Sequence, residues 1–130
     1  MDPCQRVLLE LSYEAIENAG IRLEDFTGSD SAVYIASFNN DYPRMQGRDV
    51  YDAAPALLTG AAQTILANRI SYVFNLKGPS MVIDTACSGS MVALHAGCQS
   101  LKLGETNIAL VGAANLILDP DLMLPLSMQR

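Results

Sequence analysis

The sequence has 130 residues and a mass of 14.0 kDa, which is the size of one domain. Charged residues make up 17% of it, hydrophobic residues 50%, and the formal net charge is −6. No basic patch occurs, which argues against a nucleic-acid partner. No apolar run approaches the ~20 residues of a membrane-spanning helix, and no signal peptide is indicated. We therefore expect a cytoplasmic protein without a membrane partner.

The three cysteines are Cys4, Cys87 and Cys98. An odd number at unrelated spacings argues against a disulfide framework and is typical of a reducing compartment. The sequence contains no C-x-x-C pair and only one histidine, so it predicts no metal site.

The first predicted element is a helix over residues 3–19. Asp2 is a suitable cap, Pro3 suits the first helical position, and Gln5 stands where a capping box places its polar residue. Gly20 is expected to end the helix.

The rest of the chain alternates short β-rich runs with helical patterns. In chain order we predict a loop at 23–30, a strand at 32–38, a loop at 39–55, a helix at 61–74, a turn at 77–80, a strand at 81–83, a helix at 88–103 and a strand at 107–112. This alternation predicts an α/β fold with a largely parallel sheet. A loop as long as 39–55 usually lies over a site or a partner. Asp119 and Asp121 flank Pro120 and are predicted to form a turn.

Two of the predicted helices are unusually apolar. Arg69 is the only full charge in 61–74, and residues 88–101 carry none. A helix that is apolar nearly all round must be buried on most sides, and a domain this small could hardly bury two of them. The chain is therefore expected to be part of a larger molecule or of a tight oligomer.

Cys87 is the candidate nucleophile. A buried strand, a sharp turn of small residues and a helix N-terminus meet at this position, as in a nucleophile elbow. Free N–H groups and the helix dipole favour a thiolate there and can hold an oxyanion, which suits covalent capture of an acyl group on sulfur. The alternative is that Cys87 is a small buried hydrophobe.

The residues that could assist Cys87 are poorly placed. His95 lies eight residues further along the same helix, or ~12 Å, whereas a base must be within about 3 Å. We expect His95, Cys4 and Cys98 to be structural, and Asp84 to make local hydrogen bonds before the helix. Either Cys87 is not catalytic, or its base lies outside the chain.

Several motifs closely resemble the ketosynthase domain of type I polyketide synthases, with a fungal-like character. They are Asp2-Pro3-Cys4-Gln5-Arg6, Glu14-Ala15-Ile16-Glu17-Asn18-Ala19-Gly20, Thr59-Gly60, Ile65-Leu66-Ala67-Asn68-Arg69-Ile70-Ser71-Tyr72, Lys77-Gly78-Pro79-Ser80, Asp84-Thr85-Ala86-Cys87-Ser88, Val92-Ala93-Leu94-His95, Gly112 and Asn115-Leu116. The resemblance covers nearly the whole chain, and the Asp-Thr-Ala-Cys-Ser motif after a Gly-Pro-Ser turn is its most specific part.

This resemblance implies a thiolase-like fold, a layered α/β/α/β/α arrangement that is usually homodimeric. It implies an acyltransferase in which Cys87 accepts an acyl chain from the phosphopantetheine arm of an acyl carrier protein. A malonyl-type extender then decarboxylates and attacks the Cys87 thioester, in a decarboxylative Claisen condensation. The domain itself would bind no cofactor, and an acyltransferase domain of the same polypeptide would be a partner.

The family uses two histidines and a supporting lysine that lie well downstream of the cysteine, and this sequence contains no such motif. We therefore expect residues 1–130 to be a partial ketosynthase domain, an internal fragment that represents the N-terminal half of the fold and is inactive alone. Gly89 stands where many relatives carry Ser, and its missing side chain could admit substrate. Three alternatives stay open: a ketosynthase of an animal-type fatty acid synthase, a cysteine hydrolase or amidase, and a catalytically silent structural fragment.

Overall fold

The computed structural model describes residues 1–48 and 57–129, which form one three-stranded sheet with helices on both faces. The elements in chain order are α1 (Pro3–Asn18), α2 (Leu23–Phe26), β1 (Ala32–Ala36), α3 (Asp41–Gln46), α4 (Leu57–Ala61), α5 (Ile65–Val73), β2 (Ser80–Ile83), α6 (Gly89–Lys102), β3 (Ala109–Ala113) and α7 (Pro120–Met128). One turn of 3₁₀ helix, Ala86–Ser88, precedes α6.

The sheet is entirely parallel, which confirms the predicted α/β class. The strand order is β2-β1-β3, so β1 lies in the centre. Ala36 at the end of β1 is in register with Ile83 of β2 and with Ala113 of β3. The carboxyl ends of all three strands therefore meet at one edge of the sheet.

The two faces of β1 contact different helices. Val33 and Ile35 are buried in the core that α1 and α5 form, whereas Tyr34 and Ala36 pack with Ala93 of α6. This alternation is the period of two that a strand covered on both sides requires.

Helix α1 begins as predicted, but Gln5 does not act as a capping-box residue. The Asp2 carboxylate accepts a hydrogen bond from the amide of Cys4 at 2.8 Å. The Asp2 amide donates to the carbonyl of Gly60 at 2.6 Å, so it has no need of a capping-box partner. Gln5 instead accepts a hydrogen bond from the guanidinium of Arg69 at 2.6 Å, and thus connects α1 to α5.

Three predicted boundaries differ from the structure. The helix predicted over 61–74 begins only at Ile65, as α5; Ala61 is the last residue of the preceding α4, and residues 62–64 lie between the two helices. Two short helices lie in segments predicted as loops, α2 within 23–30 and α3 within 39–55, while residues 49–55 of that second loop lie outside the described residues.

The predicted turn around Pro120 is the start of a helix. Asp119 accepts a hydrogen bond from the amide of Asp121 at 2.9 Å and caps α7, with Pro120 in the first turn. The Asp-Pro pair is the same start signal that opens α1, and the turn prediction was wrong because it gave that signal too little weight.

The apolar surfaces of the later helices are not covered within the described residues. Met91, Leu94 and Leu101 on α6 are exposed, as are Leu124 and Met128 on α7. This exposure fits the expectation that the chain packs against further structure. In the ranges 1–48 and 57–129, no helix is long and apolar enough to cross a membrane.

Candidate active site

A cavity of about 190 Å³ lies where the carboxyl ends of the three strands meet. Its walls come from the last residues of β1 and β3 and the residues that follow them, from the turn that follows β2 and from the first turn of α6. They are Ala36, Ser37, Phe38, Ala86, Cys87, Ser90, Ala113, Ala114 and Asn115. Ligands of parallel α/β sheets commonly bind at this edge. Cys87 is thus placed in a cavity of mixed apolar and polar lining.

The turn that presents Cys87 is held by its own side chains. The Asp84 carboxylate accepts a hydrogen bond from the amide of Ala86 at 3.0 Å, and the Ser88 hydroxyl donates to the carbonyl of Thr85 at 2.8 Å. Ala86 has φ +51°, a left-handed conformation that costs a non-glycine residue of order 1–3 kcal/mol. Backbone strain of this kind next to an exposed cysteine is typical of a functional turn.

Helix α6 starts directly behind this turn. A Cβ on Gly89 would lie 3.1 Å from the Cβ of Ala36, so the missing side chain allows the helix to approach the sheet. That the missing side chain also makes room for substrate stays a prediction. The amides at the start of α6 are bonded to the preceding 3₁₀ turn: Ser88 donates to the carbonyl of Thr85 at 3.3 Å, and Gly89 donates to the carbonyl of Ala86. The positive end of the α6 dipole lies next to Cys87, where it favours negative charge.

The other candidate residues lie apart from the cavity. His95 is exposed on α6, two turns after Cys87, and is not among the cavity residues. Cys98 is exposed one turn further on, and Cys4 is buried in α1. Burial raises the pKa of the Cys4 thiol, which keeps it protonated and supports its structural role.

Sequence reasoning missed two polar residues of the cavity, Ser37 and Asn115. Ser37 is 6% exposed, and its hydroxyl has no hydrogen-bond partner among the residues that the structure describes. The Ser37 amide is bonded to the carbonyl of Ile83 at 3.3 Å, so the ladder between β1 and β2 continues to this point. The available signal was the position of both residues directly after parallel strands.

A buried carboxylate, that of Asp41, follows three residues after Phe38, which lines the cavity. Asp41 is only 2% exposed and accepts hydrogen bonds from the side chains of Asn39 at 2.7 Å and Arg44 at 2.5 Å. It also accepts from the amides of Leu118 at 3.1 Å and Asp119 at 3.3 Å. Burial acts to raise the pKa of Asp41, but these four donors outweigh burial and hold the pKa below its ordinary value.

Arg48 connects the same two segments. Its guanidinium contacts the carboxylates of Asp119 at 2.8 Å and Asp121 at 2.6 Å. The described start of the loop predicted at 39–55 is therefore held against the segment that follows β3.

Comparison with known proteins places this geometry in a family. Residues 1–130 match the family model described as beta-ketoacyl synthase, N-terminal domain. The chain is 54% identical over 127 residues to the highly reducing polyketide synthase sdnO of Sordaria araneosa, which covers 98% of this chain and 4% of that synthase. It is 50% identical over 130 residues to the partially reducing polyketide synthase tpeA of Talaromyces stipitatus, covering 100% of this chain and 5% of that protein.

The fold is also found among solved structures. The ketosynthase from module 6 of the bacillaene synthase from Bacillus subtilis 168 superposes with a TM-score of 0.83 at 36% identity. The match covers 98% of this chain and 21% of that one. The chain thus spans a small part of the polyketide synthases it resembles and about a fifth of a solved ketosynthase. The resemblance seen in the sequence and the expected thiolase-like fold are confirmed.

Proposed function

The chain belongs to the beta-ketoacyl synthase family, and from this membership we propose that it is the N-terminal part of a polyketide synthase ketosynthase domain with Cys87 as acyl acceptor. The observation that carries the assignment of Cys87 is its position: an exposed thiol on a strained turn, at a helix N-terminus, in the cavity at the carboxyl ends of three parallel strands.

The proposed reaction has two stages. The Cys87 thiolate attacks the carbonyl of an acyl thioester on a carrier phosphopantetheine; the new carbon–sulfur bond forms on Cys87 while the pantetheine thiolate leaves and takes up a proton. A malonyl-type thioester on the carrier then loses CO₂, and its carbanion attacks the Cys87 thioester. The carbon–carbon bond forms, the bond to Cys87 breaks, and a β-ketoacyl thioester stays on the carrier.

The cavity suits the first stage. Its walls combine apolar groups, Phe38 and several alanines, with the polar side chains of Ser37, Ser90 and Asn115, a lining that accepts an acyl chain. The positive end of the α6 dipole next to Cys87 favours the thiolate and the oxyanion that forms when the thiolate attacks.

The second stage requires groups that residues 1–48 and 57–129, as the structure describes them, do not place at Cys87. His95 is the only histidine, and it does not line the cavity. We propose that the base and the carbonyl-polarising groups come from the remainder of the ketosynthase domain, which packs on the exposed apolar face of α6. Purified residues 1–130 alone are then expected to form no β-ketoacyl product.

The proposed partners follow from the same assignment. They are the acyl carrier protein that delivers substrates and the acyltransferase domain of the same polypeptide. A second copy of the chain would complete a homodimer, for which β2 offers an open edge of the described sheet and an exposed Met81.

The test is acylation of Cys87 in the intact ketosynthase domain that carries this chain. Incubation with an acyl thioester and peptide mass spectrometry should find the acyl group on Cys87, and Cys87→Ala should remove it. Cys98→Ala is the matched control, because Cys98 is the other exposed cysteine and lies on the same helix. Acylation that survives in Cys87→Ala would contradict the proposal. Rapid release of free acid would instead favour the hydrolase alternative.

A further inference from the structure

The loops after β1 and after β3 both line the cavity, and a buried carboxylate is one of the groups that join them. Phe38 lines the cavity after β1, and Asn115 lines it after β3. Their immediate neighbours are bonded across the gap, because the Asn39 side-chain amide donates to the carbonyl of Leu116 at 2.7 Å. The same amide nitrogen donates to Asp41 at 2.7 Å.

Asp41 holds the second loop as well as the first. One of its oxygens, Oδ2, accepts from the Asn39 side chain and from the amides of Leu118 and Asp119, so three bonds to two loops converge on one atom. The other oxygen, Oδ1, accepts from Arg44 at 2.5 Å. A charge-assisted bond is about twice as strong as a neutral one, and a carboxylate at 2% exposure is weakly screened by solvent.

We propose that Asp41 is a positioning residue for acyl transfer: by joining the Phe38 loop to the Asn115 loop, it holds the walls that orient an acyl thioester against Cys87. This inference rests on the proposed function of Cys87. Asp41 is not among the residues that line the cavity, so it acts through Asn39 and the 116–119 segment rather than by touching substrate.

The decisive variant is Asp41→Asn in the intact ketosynthase domain. The carboxamide of Asn has nearly the same shape as the carboxylate, but its NH₂ group donates hydrogen bonds and cannot accept them. It must face another donor, either Arg44 or the loop amides, so the bonds on that side are lost. Loosened walls should lower kcat/KM for acylation by a long-chain acyl thioester about tenfold to a hundredfold, the cost of misplaced reactants. A short-chain thioester, which needs less of the wall, should lose less. Alkylation of Cys87 by iodoacetamide should keep its rate, because this small reagent needs no positioned acyl chain.

Two further variants sharpen the test. Asp25→Asn is the matched control: Asp25 also pairs with an arginine three residues away, Arg22, at 2.8 Å, but the pair is exposed. Its acylation kinetics should equal those of the wild type. Asn39→Ala removes the bond to Leu116 but leaves Asp41 its bonds to the loop amides, so it should reduce long-chain acylation less than Asp41→Asn. It also decides the matter if Asp41→Asn does not fold.

The outcomes separate this inference from the proposed function. Wild-type protein that is never acylated on Cys87 would overturn both. The role of Asp41 alone would be overturned by a different result: the wild-type protein is acylated, and the folded Asp41→Asn protein is acylated by long and short chains at the wild-type rates. An equal loss of acylation and alkylation would also overturn it, because Asp41 would then act only on stability.

Discussion

The close approach of α6 to the sheet depends on Gly97, and a pair of substitutions tests this. A Cβ at Gly97 would lie 2.7 Å from Cγ2 of Val111, about 1 Å inside the usual carbon–carbon contact distance. Overpacking of this kind costs about 1–3 kcal/mol, while replacing a helical glycine by alanine gains up to ~1 kcal/mol. Gly97→Ala should therefore lower the free energy of unfolding by up to about 3 kcal/mol.

The same substitution should be harmless once Val111 is shortened. Val111→Ala removes Cγ2, and the nearest remaining atoms would be the Cβ of Ala109 at 3.4 Å and Cδ2 of Tyr34 at 3.6 Å, close to ordinary contact. Gly97→Ala should then be neutral or stabilising by up to ~1 kcal/mol. Denaturant unfolding of the four proteins in the intact domain gives a coupling energy, which we expect at about 1–3 kcal/mol. Equal effects of Gly97→Ala in both backgrounds, within about 0.5 kcal/mol, would refute this account of the packing.

Three further predictions concern single residues, and unfolding of the intact domain measures each. Folding lowers the pKa of Asp41 from its ordinary value of 3.8, so around and below that pH the native state binds fewer protons than the unfolded state. The stabilisation is complete above pH ~5 and is lost as the pH falls through the native pKa. Asp41→Asn should flatten this part of the stability profile, and an unchanged slope would contradict the assignment. Ser37→Ala removes a buried hydroxyl without a partner among the described residues, and should leave the free energy of unfolding unchanged or raise it by up to about 1 kcal/mol. Ser100→Ala removes a hydrogen bond to Glu105 at 3.1 Å and should lower the free energy of unfolding by about 0.5–1.5 kcal/mol. A larger loss in Ser37→Ala than in Ser100→Ala would contradict this prediction. Gly78→Ala would place a Cβ 2.6 Å from the carbonyl oxygens of Asp30 and Ser31, which are backbone atoms with little freedom to move. The free energy of unfolding should therefore fall by at least about 1–3 kcal/mol. Wild-type stability in this variant would show that the two segments do not approach this closely.

Local chemistry determined much of the chain. The cap and proline before α1 and the left-handed glycines, Gly20 and Gly104, that follow α1 and α6 were readable from neighbouring residues alone. The turn before α6 was also readable from neighbouring residues. Small residues around Cys87, and an Asp two positions before Ala86, mark the start of a helix there. The same local signal was present at Asp119 and Pro120, where it marks α7.

Only the tertiary structure decided which residues share the site. Phe38, Cys87 and Asn115 are far apart in the sequence, and they meet because parallel strands in register end at the same edge of the sheet. Sequence pattern identified the three strands but carries no information about their order. Likewise, Asp41 looks like an ordinary loop residue; its burial exists only because the loops after β1 and β3 fold against each other and supply four donors to one carboxylate.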